Sequence, residues 1–399
     1  MRLFDTLAQQ TKTIDFPDGV VKMYVCGITP YDTSHMGHAR VGIVYDTLRR
    51  YLEWCGLQVR YVQNITDIDD PLFERARRDK VDWRVLGEQQ TVRYLQSLAK
   101  VNVEQPHFYI KATSQITQML PVITELIERG HAYVVDGAVY YSVASKPDFG
   151  TIFHQDYATM LTTANERGND ANDPHKRDPL DFVLWQHSQP DEPAWPSPWG
   201  PGRPGWHIEC STIATSYLGP QVDIHGGGTD LIFPHHACEI AQAEPITGVV
   251  PFVRAWMHVG MVYLDGEKMS KSLGNMAFVD DVLKSYSGAA LRLATLKQPY
   301  HDPYEYREAD IQAAEQQAMA LRDALAVLSE ATGEQTALDG TAYRNRFVQT
   351  LDDNFDTPGA IMILDELAAA IVETAHAGRN VQAAQHLLHE LAGVLGLTF

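Results

Sequence analysis

Residues 20–28, VVKMYVCGI, are the stretch that decides the fold of this chain. This short apolar run is typical of a buried strand. Residues 38–55 then carry apolar side chains at helical spacing, the pattern ends at Gly56, and residues 58–65 alternate like a second strand. Because a strand, a helix and a strand with short connections make a βαβ unit, we predict a parallel sheet.

The alternation of strands and helices returns further along the chain. It resumes between Trp206 and Val259, and residues from Asp280 onward have an almost wholly amphipathic helical pattern. The polar stretch 144–205 is rich in Asp, Asn, Pro and Gly, and we predict that it forms long functional loops. We therefore expect an α/β domain over residues 1–279, with insertions at about 80–205, and a helical domain over 280–399.

Composition and charge narrow the class of protein. The 399 residues are 45% hydrophobic, which suits two or three domains of roughly 100–200 residues each. No apolar run is long enough to span a membrane, and the N-terminus lacks the apolar core of a signal peptide. The four cysteines form no C-x-x-C pair, which favours a reducing cytoplasm. The formal net charge of -19 argues against a large RNA-binding surface.

Two short motifs suggest ATP chemistry. In His35-Met36-Gly37-His38 the two imidazoles would share one face of a helix start, where free N–H groups attract phosphate. In the loop 266–272, GEKMSKS, Lys268 and Lys271 would offer two ammonium groups to a transferring phosphoryl group. Either motif alone also fits an ordinary surface segment. Their joint occurrence indicates activation of a carboxylic acid with ATP, and the chain has no Walker-type loop.

Together these motifs resemble those of class I aminoacyl-tRNA synthetases. The resemblance implies a doubly wound parallel sheet that binds ATP at the carboxyl ends of its strands, and an aminoacyl-adenylate made from Mg²⁺-ATP. It assigns catalysis to His35, His38, Lys268 and Lys271. The positions that would contact ATP or the adenylate are Cys26, Gly27, Ile28, Thr29, Asn64, Ile65, Thr66, Trp206, Gly228, Thr229, Asp230, Val262, Met269, Ser270 and Ser272.

Cys26, Cys210, His235 and Glu239 are candidate zinc ligands. His235 and Glu239 are four residues apart, so a helix would place them on one face, and the residue types suit a tetrahedral site. Buried cysteines with a capping histidine are the alternative. The four positions resemble those of cysteinyl-tRNA synthetases, in which zinc binds the substrate thiolate, and the resemblance therefore implies one Zn²⁺ and cysteine as the substrate. Cys55 and Cys238 have no assigned role.

Two related families share this core and differ in the acceptor. Cysteinyl-tRNA synthetases charge tRNA, whereas the cysteine ligases of mycothiol biosynthesis join cysteine to the amine of glucosaminyl-inositol. We favour the second family, because no anticodon-binding extension follows the helical region and because residues 165–171 resemble a motif of that ligase. Residues 81–84 and 195–198 also read closer to the ligase.

Other observations keep the alternatives open. Residues 223–226 and Glu239 resemble the synthetases, and Asn169 and Ala171 depart from the ligase motif. The acceptor could therefore be tRNA or another small molecule or carrier protein, and a synthetase-derived regulatory module is the non-enzyme alternative. For an amine acceptor, Asp67 and His225 are the guesses for the base of the transfer step. We expect a monomer.

Overall fold

The computed structural model describes residues 1–32, 34–269, 274–329 and 337–399. The strands are, in chain order, β1 (Arg2–Asp5), β2 (Gln10–Thr13), β3 (Val20–Ile28), β4 (Gln58–Ile65), β5 (Phe108–Lys111), β6 (Ala132–Val135), β7 (Ala138–Tyr141), β8 (Phe182–Gln186), β9 (Arg203–Pro204), β10 (Val222–Gly228), β11 (Val253–Val259), β12 (Val262–Leu264), β13 (Glu267–Lys268) and β14 (Tyr304–Glu305).

The α-helices are α1 (Met36–Trp54), α2 (Asp70–Asp79), α3 (Trp83–Lys100), α4 (Ile116–Glu128), α5 (Tyr157–Asn165), α6 (Trp206–Leu218), α7 (Ala237–Thr247), α8 (Val279–Val282), α9 (Gly288–Leu296), α10 (Glu308–Ala326), α11 (Thr341–Asp352), α12 (Thr357–His376) and α13 (Gln382–Val394). None of the helices in the described ranges is long and apolar enough to cross a membrane.

The central sheet has five parallel strands in the order β11-β10-β3-β4-β5. The chain builds β3, β4 and β5 toward one side and later adds β10 and β11 on the other side. The direction of winding therefore reverses between β3 and β10. In open α/β sheets, ligands bind in the crevice at the carboxyl ends of the strands where this reversal occurs. The predicted doubly wound sheet is confirmed, and Cys26 lies near the carboxyl end of β3, beside the reversal.

The βαβ unit predicted from residues 20–65 is present. β3 is buried along most of its length, and α1 packs its apolar face against the sheet through residues such as Ile43, Val44 and Leu48. The helix ends before Gly56, whose φ of +87° is a left-handed conformation that glycine adopts without steric cost. Local spacing was enough to place this unit because every element in it follows its neighbour directly in the chain.

The prediction of long loops over residues 144–205 is wrong at one α-helix and two strands. Residues Tyr157–Asn165 form α5, Phe182–Gln186 form β8, and Arg203–Pro204 form β9. β8 pairs with β7 and β9 in an antiparallel sheet of order β6-β7-β8-β9. Turn-forming residues on both sides of β8 led to the prediction of loops. A strand of five residues takes its stability from partners distant in the chain, so its own sequence is a weak signal.

The helical region after residue 280 packs onto the first βαβ unit through a buried arginine. Arg292 of α9 forms an ion pair with Asp46 of α1, and both side chains are only 1% exposed. The Arg292 guanidinium also donates to Thr47 Oγ1 at 2.9 Å and to the Val101 carbonyl at 3.1 Å. The helical region predicted from the sequence is thus confirmed, whereas the domain boundary at residue 279 stays a prediction.

Candidate active site

His35 and His38 lie together at the start of α1. His35 is the N-cap residue, and its Nδ1 accepts a hydrogen bond from the His38 backbone N–H at 3.4 Å. The two imidazole rings stack with their centroids 3.6 Å apart. A Cβ at Gly37 would lie only 3.0 Å from His35 Nδ1, so a side chain between the histidines would press on this arrangement. The motif presents two imidazoles beside the free N–H groups of a helix N-terminus.

The segments flanking the lysine loop are tied to the same region. Met36 N–H donates to the Ala277 carbonyl at 2.9 Å, and Val279 N–H donates to the Ser34 carbonyl at 2.9 Å. On the other side, Met269 N–H donates to the Val262 carbonyl at 3.2 Å. The described segments on both sides of the loop are thus held by backbone hydrogen bonds, and the later segment is held at the histidine motif. The Lys268 side chain, Ser270, Lys271 and Ser272 lie outside the described residues.

The predicted adenylate-binding residues gather at the carboxyl ends of β3, β4 and β10. Asn64 links the first two strands, because its Oδ1 accepts from the Gly27 N–H at 2.8 Å and its Nδ2 donates to Thr66 Oγ1 at 3.0 Å. Thr29 Oγ1 donates to the Asp69 carboxylate at 3.3 Å. At Gly27 any Cβ would collide with the Asn64 carbonyl, so only glycine permits this close approach of the two backbones.

The remaining predicted contacts are distributed around the same edge. Ile28 and Ile65 are buried partners in the β3–β4 register. Gly228 ends β10, and Thr229 and Asp230 form the short helical turn that follows it. Trp206 begins α6 and stacks on His235 with ring centroids 4.4 Å apart. Val262 and Met269 are buried in the core.

Cys26, Cys210, His235 and Glu239 come from four different elements and converge. One ligand atom from each residue lies within 4.8 Å of the others, and all four side chains are buried. Cys26 Sγ lies 3.8 Å from Cys210 Sγ and 3.4 Å from Glu239 Oε1. His235 Nε2 lies 3.3 Å from Glu239 Oε1. We call these four residues the ligand cluster.

Burial shifts the ionisation of the ligand cluster toward its neutral forms. It raises the pKa of the Cys26 thiol, with further contributions from Cys210 and Glu239. Burial likewise raises the pKa of Glu239 and lowers that of His235. Thiolates and a carboxylate so far from water need a compensating cation, and two sulfur donors with one imidazole and one carboxylate form a donor set that suits Zn²⁺. The cluster therefore fits the predicted metal.

A chain of histidines supports the ligand cluster from behind. His236 Nε2 lies 3.4 Å from Cys26 Sγ, and its Nδ1 lies 2.7 Å from His258 Nε2. His258 Nδ1 lies 2.7 Å from Thr6 Oγ1. Outer partners of this kind orient metal ligands. His236 and His258 were not predicted from the sequence, although the His235-His236 doublet was a visible signal for the first.

His225 belongs to the same buried network. Its Nε2 lies 2.9 Å from Glu239 Oε2, and burial lowers its pKa to about 3. With Cys26, His236 and Glu239 it forms a second group of ligand atoms that all lie within 4.8 Å of one another. This position suits a residue that orients the Glu239 carboxylate. It suits the predicted role of base less well, because the ring is fully buried.

The other two cysteines lie outside both groups of ligand atoms. Cys238 is buried on α7, one residue before Glu239, and Cys55 is exposed after α1. Asp67, the other residue predicted as a base, accepts hydrogen bonds from Thr113 N–H at 2.9 Å and Thr113 Oγ1 at 2.6 Å. Burial raises the pKa of Asp67.

Known proteins with similar sequences point the same way. Residues 13–316 match the family of tRNA synthetases class I (C) catalytic domains, and residues 346–399 match the DALR domain. A cysteine–tRNA ligase from Dehalococcoides mccartyi is 41% identical over 400 residues, covering 100% of this chain and 86% of that protein.

A second kind of relative has a different name. The L-cysteine:1D-myo-inositol 2-amino-2-deoxy-alpha-D-glucopyranoside ligase from Stackebrandtia nassauensis is 44% identical over 381 residues, covering 94% of this chain and 86% of that protein. Among solved structures, Mycobacterium tuberculosis methionyl-tRNA synthetase in complex with methionyl-adenylate superposes with a TM-score of 0.66. That match covers 94% of this chain and 89% of that one at 14% identity, and so it supports the fold alone.

The sheet with its reversal at β3 and β10, the histidine motif at the start of α1 and these sequence matches all agree. The chain therefore belongs to the class I tRNA synthetase family, and it is an enzyme of the ligase class.

Proposed function

We propose that the chain activates L-cysteine with ATP to cysteinyl-adenylate and transfers the cysteinyl group to the amine of glucosaminyl-inositol. It acts in the cytoplasm as a monomer, with one Zn²⁺ and with Mg²⁺ bound to ATP. The observation that carries this proposal is the convergence of Cys26, Cys210, His235 and Glu239 at the end of β3.

The ligand cluster is the part of the proposal that selects cysteine. Cysteine and serine differ by one atom, so the shape of a pocket separates them poorly. A zinc ion held by the cluster would bind the thiol as a thiolate and lower its pKa. Trp206 stacks on His235 and would form one wall of the cysteine pocket. The histidine chain from Thr6 to Cys26 keeps the cluster in place.

The adenylation step rests on electrostatic stabilisation. The cysteine carboxylate attacks the α-phosphate of ATP, and pyrophosphate leaves. His35 and His38 donate hydrogen bonds to the phosphate oxygens from the start of α1, where the helix dipole also favours negative charge. Lys268 and Lys271 are proposed to balance the charge of the leaving pyrophosphate. The backbone hydrogen bonds at Ser34 and Met36 keep the loop's later end at the histidine motif.

Three observations favour a small amine as the acceptor. Residues 81–84 and 195–198 resemble the glucosaminyl-inositol ligases, and Trp83 and Trp195 from these segments line one cavity. The formal net charge of -19 disfavours a large polyanionic partner. The 44% identity to a relative named for that amino-sugar acceptor supports the same choice.

Transfer to tRNA is the second candidate. Glu239 lies within the ligand cluster, and this residue, like residues 223–226, resembles the synthetases. Identity of 41% to a cysteine–tRNA ligase over the whole chain also favours this candidate. Both candidates share cysteine adenylation and differ only in the second step.

Two assays separate the steps. Zinc-loaded protein should catalyse ATP–pyrophosphate exchange with cysteine and stay at background with serine, and absence of cysteine-dependent exchange would refute both candidates. The enzyme is then given ATP and labelled cysteine with equal concentrations of glucosaminyl-inositol and tRNA. We expect label in the amide of glucosaminyl-inositol, whereas label in the tRNA fraction alone would establish the second candidate.

A further inference from the structure

A cavity of about 330 Å³ opens at the carboxyl ends of β4 and β5. Asp67 follows β4, and Lys111 is the last residue of β5. The volume lies at the lower end of the range for small-molecule sites. We call it the side cavity, and its lining residues are Asp67, Trp83, Arg84, Gly87, Glu88, Thr91, Lys111, Thr113 and Trp195.

The lining combines two tryptophan side chains with several hydrogen-bonding groups. Trp83 packs edge-on against Phe73 at 5.5 Å between centroids and is covered by the Arg84 guanidinium at 4.5 Å. Trp195 is positioned by backbone hydrogen bonds to Gly202 at 2.7 and 3.0 Å. Flat apolar faces pack against the C–H faces of a saturated ring, while carboxylates and hydroxyls pair with its hydroxyl groups.

The charges of the side cavity are balanced. Glu88 forms an ion pair with Lys111 at 2.5 Å, and the other two charged residues of the lining are the acidic Asp67 and the basic Arg84. A site for a phosphodiester backbone carries an excess of Lys and Arg. Carboxylates are instead the natural partners of an amine and of hydroxyl donors. The lining therefore favours a neutral or cationic polyhydroxylated ligand.

The side cavity adjoins the adenylate-binding residues. Cys26 of the ligand cluster precedes Gly27, whose N–H donates to Asn64 Oδ1 at 2.8 Å. Asn64 Nδ2 in turn donates to Thr66 Oγ1 at 3.0 Å, and Asp67 is the next residue. Neighbouring strands lie about 4.8 Å apart, so the end of β4 is one strand away from the end of β3.

Resting on the proposed function, we propose that the side cavity binds the acceptor, a polyhydroxylated amine of the glucosaminyl-inositol class, through Trp83 and Trp195. The amine nitrogen attacks the carbonyl carbon of cysteinyl-adenylate and forms the amide C–N bond. The bond between the carbonyl carbon and the phosphate oxygen breaks, and AMP leaves with the electron pair. The proton released by the nitrogen passes to the Asp67 carboxylate.

The test uses Trp195→Ala in the zinc-loaded, full-length enzyme, with glucosaminyl-inositol as the probe. We expect its KM to rise about tenfold, the loss of about 1.4 kcal/mol of binding. Cysteine-dependent ATP–pyrophosphate exchange should not change, and this also reports that the variant is folded. Trp195→Phe should recover part of the loss. Trp199→Ala is the matched control and should leave the KM unchanged. Trp199 lies in the same loop, but its ring centroid is 6.1 Å from that of Trp185, and it does not line the cavity.

The outcomes separate this inference from the proposed function. Absence of cysteine-dependent ATP–pyrophosphate exchange in the enzyme without substitutions would refute the proposed function itself. Normal exchange with an unaltered KM in Trp195→Ala would overturn the side cavity alone. A rise in KM for tRNA, with no use of glucosaminyl-inositol, would also overturn it. If Trp195→Ala does not fold, Glu88→Gln is tested instead, since it changes an exposed side chain of the lining. It should raise the KM for glucosaminyl-inositol, and an unaltered KM would refute the inference.

Discussion

The ligand cluster and the side cavity lie at the same edge of the parallel sheet but are built differently. The cluster consists of Cys26 from β3, Cys210 from α6, His235 from the helical turn just before α7, and Glu239 from α7. All four residues are buried. The side cavity is lined by residues at or just after strand ends, on α3 and in a long loop, and both of its tryptophans are only partly buried.

This difference separates the selection of cysteine from the selection of the acceptor. The two kinds of named relatives both have cysteine in their names and differ in the acceptor. In a buried cluster held by several elements, substitution of one residue disturbs the geometry of the others. Loops on a rigid scaffold tolerate substitution. We therefore expect cluster variants to stop cysteine activation and cavity variants to affect the transfer step alone.

The largest effect is expected from Cys210→Ser. A serine hydroxyl is a poor zinc ligand compared with a thiolate, so zinc should be lost on dialysis. Loss of a residue that only orients a metal ligand costs about 10- to 100-fold. The rate of cysteine-dependent exchange in Cys210→Ser should fall by more than this. Metal content by atomic absorption and the exchange assay measure this. The matched control is Cys238→Ser, a buried cysteine outside the cluster, which should retain zinc. Retained zinc and normal exchange in Cys210→Ser would refute the ligand assignment.

An intermediate effect is expected from His258→Ala. The substitution breaks the chain from Thr6 through His236 to Cys26, and outer partners of metal ligands contribute about 10- to 100-fold in affinity. Competition with a zinc chelator measures the affinity. His154→Ala is the control, because His154 contacts the backbone carbonyl of Thr6 at 3.0 Å but is not linked to Cys26. Equal affinities in the two variants would show that the chain does not support the cluster.

The smallest effect is expected at Asp69, which receives a hydrogen bond from Thr29 at the end of β3 and caps α2. Burial, with the neighbouring Asp70, raises the pKa of Asp69 from 3.8 to about 6. The folded protein therefore binds more protons than the unfolded chain between these values, and the free energy of unfolding falls as pH rises through this window.

Asp69→Asn removes this dependence and keeps an oxygen that can cap the helix. The variant should match the parent near pH 4 and be more stable above pH 6, by about 1 kcal/mol after allowance for partial exposure. Urea unfolding between these pH values measures the difference. A constant difference at every pH would show that Asp69 does not titrate in this window.

Prediction from sequence was most successful where the informative residues are neighbours in the chain. The βαβ unit and the pairing of His35 with His38 follow from local spacing, and the structure contains both. β8 and the histidine chain were missed because their partners lie far away in sequence. His258 reaches His236 only because β11 places it there, and no spacing rule relates Thr6 to either.

The sequence by itself determined the class of sheet, the helical region and the positions of the histidine and lysine motifs, because hydrophobic periodicity and short motifs are local properties of the chain. Only the tertiary structure brought Cys26 to within 3.8 Å of Cys210, 184 residues away, and put Trp83 and Trp195 on one cavity. The physical reason is that parallel strands with crossover helices bring the carboxyl ends of distant segments to one edge of the sheet. Side chains that share no local pattern can then form one site.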